Sequence, residues 1–296
     1  MQTETMSFCA WQQRFATNAA CAEEIAERRW PEGFCCPHCG HEHGWYYAPR
    51  RLYECACCHR QTSIIAGTVF HGSRVPLHKW FWALNWVGSD KGSISALRLS
   101  KLIGVSWRST YAMLRKLRVA MGHRDRLYRL TDLIEIDDAY VGANKTGKAG
   151  RGGGRTPILI AIEQREGKPG FVAIESVPFL AKPYVVDFAK RRLQPGAVTH
   201  TNAFSSLTGL AIHTQHIAKI TPPEEADEWL PWVHIVISNL ERFLRGTYHG
   251  AVRPHRIQEY LDEFVYHFNR RFWEDQIPNR LLSLRVEHLP VPLRGT

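Results

Sequence analysis

The sequence predicts an α/β fold: a mixed sheet flanked by helices, preceded by a cysteine-rich module and a pair of helices. Three observations predict it. Apolar, β-branched runs at 133–141, 157–163, 170–177 and 197–201 read as strands, with a helical stretch between the third and fourth. Two Cys-x-x-Cys pairs, Cys36/Cys39 and Cys55/Cys58, stand fifteen residues apart ahead of them. Between these regions lie two helical segments joined by the three-residue turn Gly104-Val105-Ser106.

The elements follow in chain order. Over 7–30, Trp11, Phe15, Ala19 and Ile25 recur at helical spacing, and Pro31 and Gly33 end the segment. The two cysteine pairs match the rule for a zinc ribbon, four thiolates around one tetrahedral zinc. The residues 51–55 and 61–65 alternate as strands of that ribbon. Cys35 and Cys57 break the two-residue spacing and are left out of the ligand set. The aromatic run 76–87, with Trp80, Phe81, Trp82 and Trp86, reads as a buried helix. Segments 93–102 and 107–118 then form a helix-turn-helix, with Arg108, Arg115, Lys116 and Arg118 on the polar side of the second helix.

Beyond Arg129 the order is strand, strand, strand, helix (181–192), strand, acidic loop (222–228), helix (232–244) and helix (254–271). Three consecutive strands followed by alternating helix and strand is the order of an RNase H-like fold. That fold gathers acidic side chains from its first strand, its fourth strand and a later helix around divalent cations. The glycine-rich, basic segment 142–155, which includes Arg151, is expected to lie along phosphates. The expected domains are 1–72 (N-terminal helix and zinc ribbon), 73–128 (helix-turn-helix), 129–275 (RNase H-like) and 276–296 (tail).

Composition narrows the function. With 38 Lys and Arg against 28 Asp and Glu, the formal net charge is +10, which points to a polyanion such as DNA. No stretch of about 18 apolar residues suggests a membrane span. Met1–Met6 lacks the apolar run of a secretion signal, and six of the eight cysteines crowd into 35–58. A cytoplasmic protein with thiolates on zinc is therefore expected, rather than a disulfide scaffold.

Asp137 carries the chemical interest. It sits in Ile134-Glu135-Ile136-Asp137-Asp138-Ala139-Tyr140-Val141, and a carboxylate inside an apolar strand costs several kcal/mol of desolvation unless something compensates it. A bound metal is the natural compensation. Alternation places Asp138 and Glu135 elsewhere or behind the site.

Several motifs together resemble bacterial insertion-sequence transposases of the IS fifteen-ninety-five family, with its ISXO-like DDE-type catalytic domain. They are Arg29-Trp30-Pro31-x-Gly33-Phe34-x-Cys36-Pro37-x-Cys39-Gly40, then Ala66-Gly67-Thr68-Val69-Phe70, then Glu135 to Gly142, and Leu244-Arg245-Gly246-Thr247-Tyr248-His249-Gly250. The resemblance extends from about Ser7 to Arg271. It implies binding to terminal inverted repeats and target DNA, homo-oligomers on that DNA, a nucleoid location, and strand cleavage and transfer with Mg²⁺ or Mn²⁺. It maps the first acidic position to Asp137 and the third to His234. At the second position, where the family has Asp, this chain has Asn202; where the family has Lys, it has Glu241. His234, Ser238, Glu241 and Arg245 share one helix face, so Glu241 is a candidate metal ligand and Arg245 a candidate phosphate contact. Two readings follow: an active transposase, or an impaired or repurposed DNA-binding descendant. A third, a zinc-ribbon transcription regulator, is disfavoured by the strand order and Asp137.

Overall fold

The computed structural model describes residues 6–142, 155–222, 225–250 and 252–284. Its contacts divide the chain into two compact units, 1–120 with 273–296, and 121–272.

In the first unit, the stretch expected as one N-terminal helix is two: α1 (Phe8–Arg14) and α2 (Asn18–Arg29). Thr17 causes the break. Its hydroxyl accepts the Ala20 N–H at 3.2 Å and starts the second helix as an N-cap. Strands β1 (Gly44–Tyr47), β2 (Leu52–Cys55) and β3 (Gln61–Ser63) form an antiparallel ribbon in that order. Helix α3 (Leu77–Ser89) is buried along most of its length, as its aromatic content requires. Trp11, Phe15, Phe70, Trp80 and Phe81 pack as one aromatic core, and Trp11 Nε1 donates to the Phe81 carbonyl at 2.9 Å.

Helix α4 (Ala96–Ile103) begins at the Ser95 N-cap and ends at Gly104, whose φ of 62° is the left-handed conformation that favours glycine at a helix C-terminus. Ser106 caps α5 (Trp107–Asp125) by accepting the Ser109 N–H at 3.2 Å. Gly104 and Ser106 thus fix the turn that the sequence places between these helices. Helix α10 (Ile277–Leu282), in the segment expected as a plain tail, packs on α3. Gly88 permits this approach, because a Cβ there would lie 2.6 Å from the Pro278 nitrogen.

In the second unit, five strands lie in the order β6-β5-β4-β7-β8. They are β4 (Leu133–Val141), β5 (Thr156–Arg165), β6 (Lys168–Ser176), β7 (Val198–Asn202) and β8 (Gln215–Lys219). Strands β4, β5 and β6 pair antiparallel, while β7 joins β4, and β8 joins β7, in parallel. This is the RNase H-like arrangement. The strand β8 was not legible in the sequence: Gln-His-Ile-Ala-Lys is a short, mostly exposed edge with no apolar alternation.

Alternation along β4 sorts its side chains between two layers. Ile134 and Ile136 enter the core under α6 (Lys182–Arg192), with Leu159, Ala161 and Phe188. Ala139 and Val141 face the other layer, built on α8 (Pro231–Tyr248) and α9 (Ile257–Phe268). Glu135 and Asp137 share the α8 side by the same period of two. The acidic segment read as a loop contains a short helix, α7 (Ala226–Trp229).

Candidate metal centre and catalytic pocket

The cysteine ligands are assembled by two tight knuckles. Gly40 and His59 donate backbone N–H groups to the Cys36 and Cys55 carbonyls, curling each Cys-x-x-Cys back on itself. The Sγ atoms of Cys36, Cys39, Cys55 and Cys58 all lie within 4.8 Å of one another. The Cys36–Cys58 and Cys39–Cys55 separations are 3.6 and 3.5 Å. Four sulfurs at about 2.3 Å from a tetrahedral zinc stand about 3.8 Å apart, so the donor set fits zinc. The backbone N–H groups of Cys58 and Cys57 point at Cys55 Sγ and pull its thiol down to about 6, toward the thiolate that metals take. Cys35 and Cys57 are exposed.

The pocket at Asp137 draws on three distant segments. Asp137, on the central strand, is only 8% exposed. Asn202, the last residue of β7, donates Nδ2 to Asp137 Oδ1 at 2.7 Å. The Asp138 backbone N–H reaches the same oxygen at 2.8 Å. His234, in the first turn of α8, brings Nε2 to 3.5 Å from Asp137 Oδ2, while its Nδ1 meets Asp227 Oδ1 at 2.6 Å. The hydrogen bond to Asp137 first, and that to Asp227 after it, push the His234 imidazole up to about 9, against the opposing effect of burial. At neutral pH His234 is thus an imidazolium between two carboxylates. A cleft of about 590 Å³, lined by Asp137, Asn202, Lys219, Trp229 and His234 among others, opens over the group.

Glu135 sets where His234 stands. Its side chain is buried, and Oε2 accepts the N–H groups of Trp232 at 2.8 Å and Val233 at 2.9 Å. Helix α8 has no side-chain cap of its own, so this carboxylate serves as one from the sheet and satisfies donors that the helix start leaves open. Burial pushes the Glu135 carboxyl up, and the two N–H groups oppose that.

The structure therefore brings Asp137, Asn202 and His234 together, but not Glu241. Seven residues along α8 is about 10 Å of axial rise. Glu241 lines a separate cleft with Tyr140, Arg155 and Arg245, and it pairs with Arg245 at 3.2 Å. Its candidacy as a ligand beside Asp137 is corrected accordingly. Among the expected DNA contacts, Arg108 is exposed and the Arg245 side chain is 67% exposed. Arg115 is half-buried, and the Lys116 ammonium binds the His71 carbonyl. Arg118 is 2% exposed, facing the core side of α5, and is withdrawn as a surface contact. Arg151 lies outside the described residues. Asp227 was missed: it sits in an acidic stretch whose only sequence signal was that of a solvated loop.

Two family matches bear on this geometry. Residues 129–269 match the ISXO2-like transposase domain, and residues 16–61 match the transposase zinc-ribbon domain that accompanies it. The chain belongs to the IS fifteen-ninety-five family of insertion-sequence transposases. An uncharacterized protein in transposable element ISH50 of Halobacterium salinarum is 32% identical over 138 residues, 45% of this chain and 45% of that protein. The matched region thus spans less than half of that relative. Among solved structures, the Mos1 transposase paired-end complex with left transposon end is similar over 68% of this chain and 76% of that one, with 9% identity and a TM-score of 0.30. A pre-cleavage Mos1 transpososome is similar over 71% and 79%, with 11% identity and a TM-score of 0.30. Among the described residues, no helix is long and apolar enough to cross a membrane.

Proposed function

We propose that this transposase-family chain binds double-stranded DNA at terminal repeats through its ribbon and helix-turn-helix, and that its Asp137 centre is catalytically impaired as it stands. The observation that carries the second part is the orientation of Asn202. Its Nδ2 faces Asp137, while its Oδ1 accepts the Phe204 N–H at 3.1 Å. A hard divalent cation takes oxygen donors, preferably carboxylates. Here Asp137 and Asp138 both line the cleft, but Asn202 and His234 converge on Asp137 alone, and its two oxygens already meet an amide NH₂ and an imidazolium. That set does not fit Mg²⁺ or Mn²⁺, and no strand-cleavage step is derived through either ion.

DNA binding is supported by the net charge of +10, the fit of four thiolates to zinc and the exposed Arg108. Homo-oligomerisation on paired ends and a nucleoid location accompany this reading as part of it. The active reading remains the competitor, because Asp137, Asn202 and His234 do converge.

A nicking assay separates the two. Labelled terminal-repeat duplex is incubated with the zinc-loaded chain and Mg²⁺ or Mn²⁺. The expected result is binding without nicking by the wild type and nicking by Asn202→Asp, lost again on adding Asp137→Ala. Wild-type nicking that Asp137→Ala abolishes would overturn the impaired reading.

A further inference from the structure

The DNA contacts expected from sequence were all cationic, yet the leading end of α5 is aromatic. Trp107, its first residue, is 54% exposed although tryptophan is large and apolar. Its ring stacks on Tyr111 one turn later, with centroids 5.3 Å apart and planes 13° from parallel. The stack fixes the indole without covering its outer face. On the preceding helix, Leu97 and Leu102 of α4 are 57% and 43% exposed. Arg98, Lys101 and Arg108, on the same two helices, are also exposed.

An apolar patch of this kind needs a partner, and charge selects which. From 91 to 124 the chain has eight Lys and Arg and no Asp or Glu. Just outside this stretch, the Asp90 carboxylate meets Arg98 at 3.9 Å. A basic surface with an aromatic tip suits a polyanion that also offers apolar groups. Double-stranded DNA offers both: phosphates along the rim, and thymine methyls in the floor of the major groove. The N-terminal residues of the second helix are the ones that a helix-turn-helix brings to base edges.

Resting on the DNA-binding reading above, we infer that Trp107, held by Tyr111, is a specificity-determining residue that reads thymine through its 5-methyl group in the major groove. Arg98, Lys101 and Arg108 hold phosphates and supply affinity without sequence preference. Trp107 thus contributes discrimination where the arginines contribute attraction.

The test replaces thymine by deoxyuridine, which removes the methyl group and leaves base pairing intact. The zinc-loaded full chain selects binders from a duplex library with a randomised core. The selected duplex is then rebuilt with deoxyuridine at one thymine at a time. At one or two positions the wild type should bind the deoxyuridine duplex about four-fold more weakly, the loss expected from about 0.8 kcal/mol for one buried methyl group. Trp107→Ala should bind the thymine duplex more weakly and show equal affinity for both duplexes. Trp107→Phe should restore part of the difference. Arg108→Ala should lower affinity for both duplexes equally and reduce the salt dependence.

A wild-type thymine-to-deoxyuridine ratio of one at every position overturns the inference, as does an unchanged ratio in Trp107→Ala. If Trp107→Ala instead dissociates an oligomer and leaves the ratio intact, the patch joins two copies of the chain and the inference fails. A wild type that selects nothing from the library refutes the DNA-binding reading itself, a distinguishable failure. Trp107 lies outside the buried core, and matching near-ultraviolet spectra verify that each variant is folded.

Discussion

Replacing Asn202 by Asp should make the second unit less stable and, at the same time, responsive to metal. The amide Nδ2 now lies 2.7 Å from Asp137 Oδ1 and supplies a hydrogen to it. A carboxylate in its place supplies none. Two negative charges about 3.5 Å apart repel by about 5 kcal/mol at an effective dielectric constant of about 20. The imidazolium of His234 on the other Asp137 oxygen offsets part of this. A net loss of roughly 2–3 kcal/mol lowers the melting midpoint of a unit of this size by roughly 5–10 °C. The same two carboxylates now suit a hard cation, and Mn²⁺ at about 100 times its dissociation constant restores about 2.7 kcal/mol. Thermal unfolding of the zinc-loaded chain, with and without Mn²⁺, reads both effects. The wild-type midpoint should not move with Mn²⁺, whereas that of Asn202→Asp should fall without the ion and recover with it. Equal stabilisation of both proteins by Mn²⁺ would show that the Asn202 amide is no barrier to the ion, and an Asn202→Asp variant indifferent to Mn²⁺ would show that a second carboxylate does not create a site.

Other consequences follow from the remaining contacts. Glu135→Ala strands the N–H groups of Trp232 and Val233 in the core. It should cost about 3 kcal/mol in urea unfolding, and Glu135→Gln, which keeps one acceptor, about half of that. His234 is raised to about 9 from an ordinary 6.5. Its contribution to stability is therefore complete below about pH 6.5 and is lost as pH rises through about 9. Urea midpoints should fall across that window in the wild type and flatten in His234→Gln. Cys39→Ser removes one of four thiolates; zinc content should drop, measured by atomic absorption, and DNA affinity with it.

Much of the fold is visible in the sequence because its strands are buried on both faces. Ile158, Ile160 and Ile162 face one core layer and Leu159 and Ala161 the other, so strand β5 leaves an unbroken apolar record. The edge strand β8 leaves none, since most of it meets water and a polar sequence serves there. The break at Thr17 was hidden because helical spacing runs on through it, and only the capping hydroxyl marks the stop. In the pocket, Asp137 was legible as a charge out of place in an apolar strand. Asn202 and His234 came only through the family resemblance, as an amide and an imidazole carry no pattern of their own. Helix periodicity put Glu241 on the same face as His234, which is correct, but a shared face spans two turns and does not make a shared site. Asp227 reaches His234 only because α7 folds the acidic segment back toward the start of α8. That is a tertiary fact without local signal. Glu135 was expected to point elsewhere or to sit behind the site; the period of two instead puts it on the face of Asp137, and its role as the cap of α8 depends on where Trp232 and Val233 arrive.

Under the impaired reading, the amide of Asn202 keeps a divalent cation away from Asp137. Anomalous scattering from crystals of the zinc-loaded wild type soaked in Mn²⁺ would locate any such ion at the pocket itself. The predicted result is zinc at Cys36, Cys39, Cys55 and Cys58, no manganese peak at Asp137, and Asn202 Nδ2 still on Asp137 Oδ1. A manganese ion bound by Asp137 and Asn202 Oδ1, with the amide turned over, would contradict it.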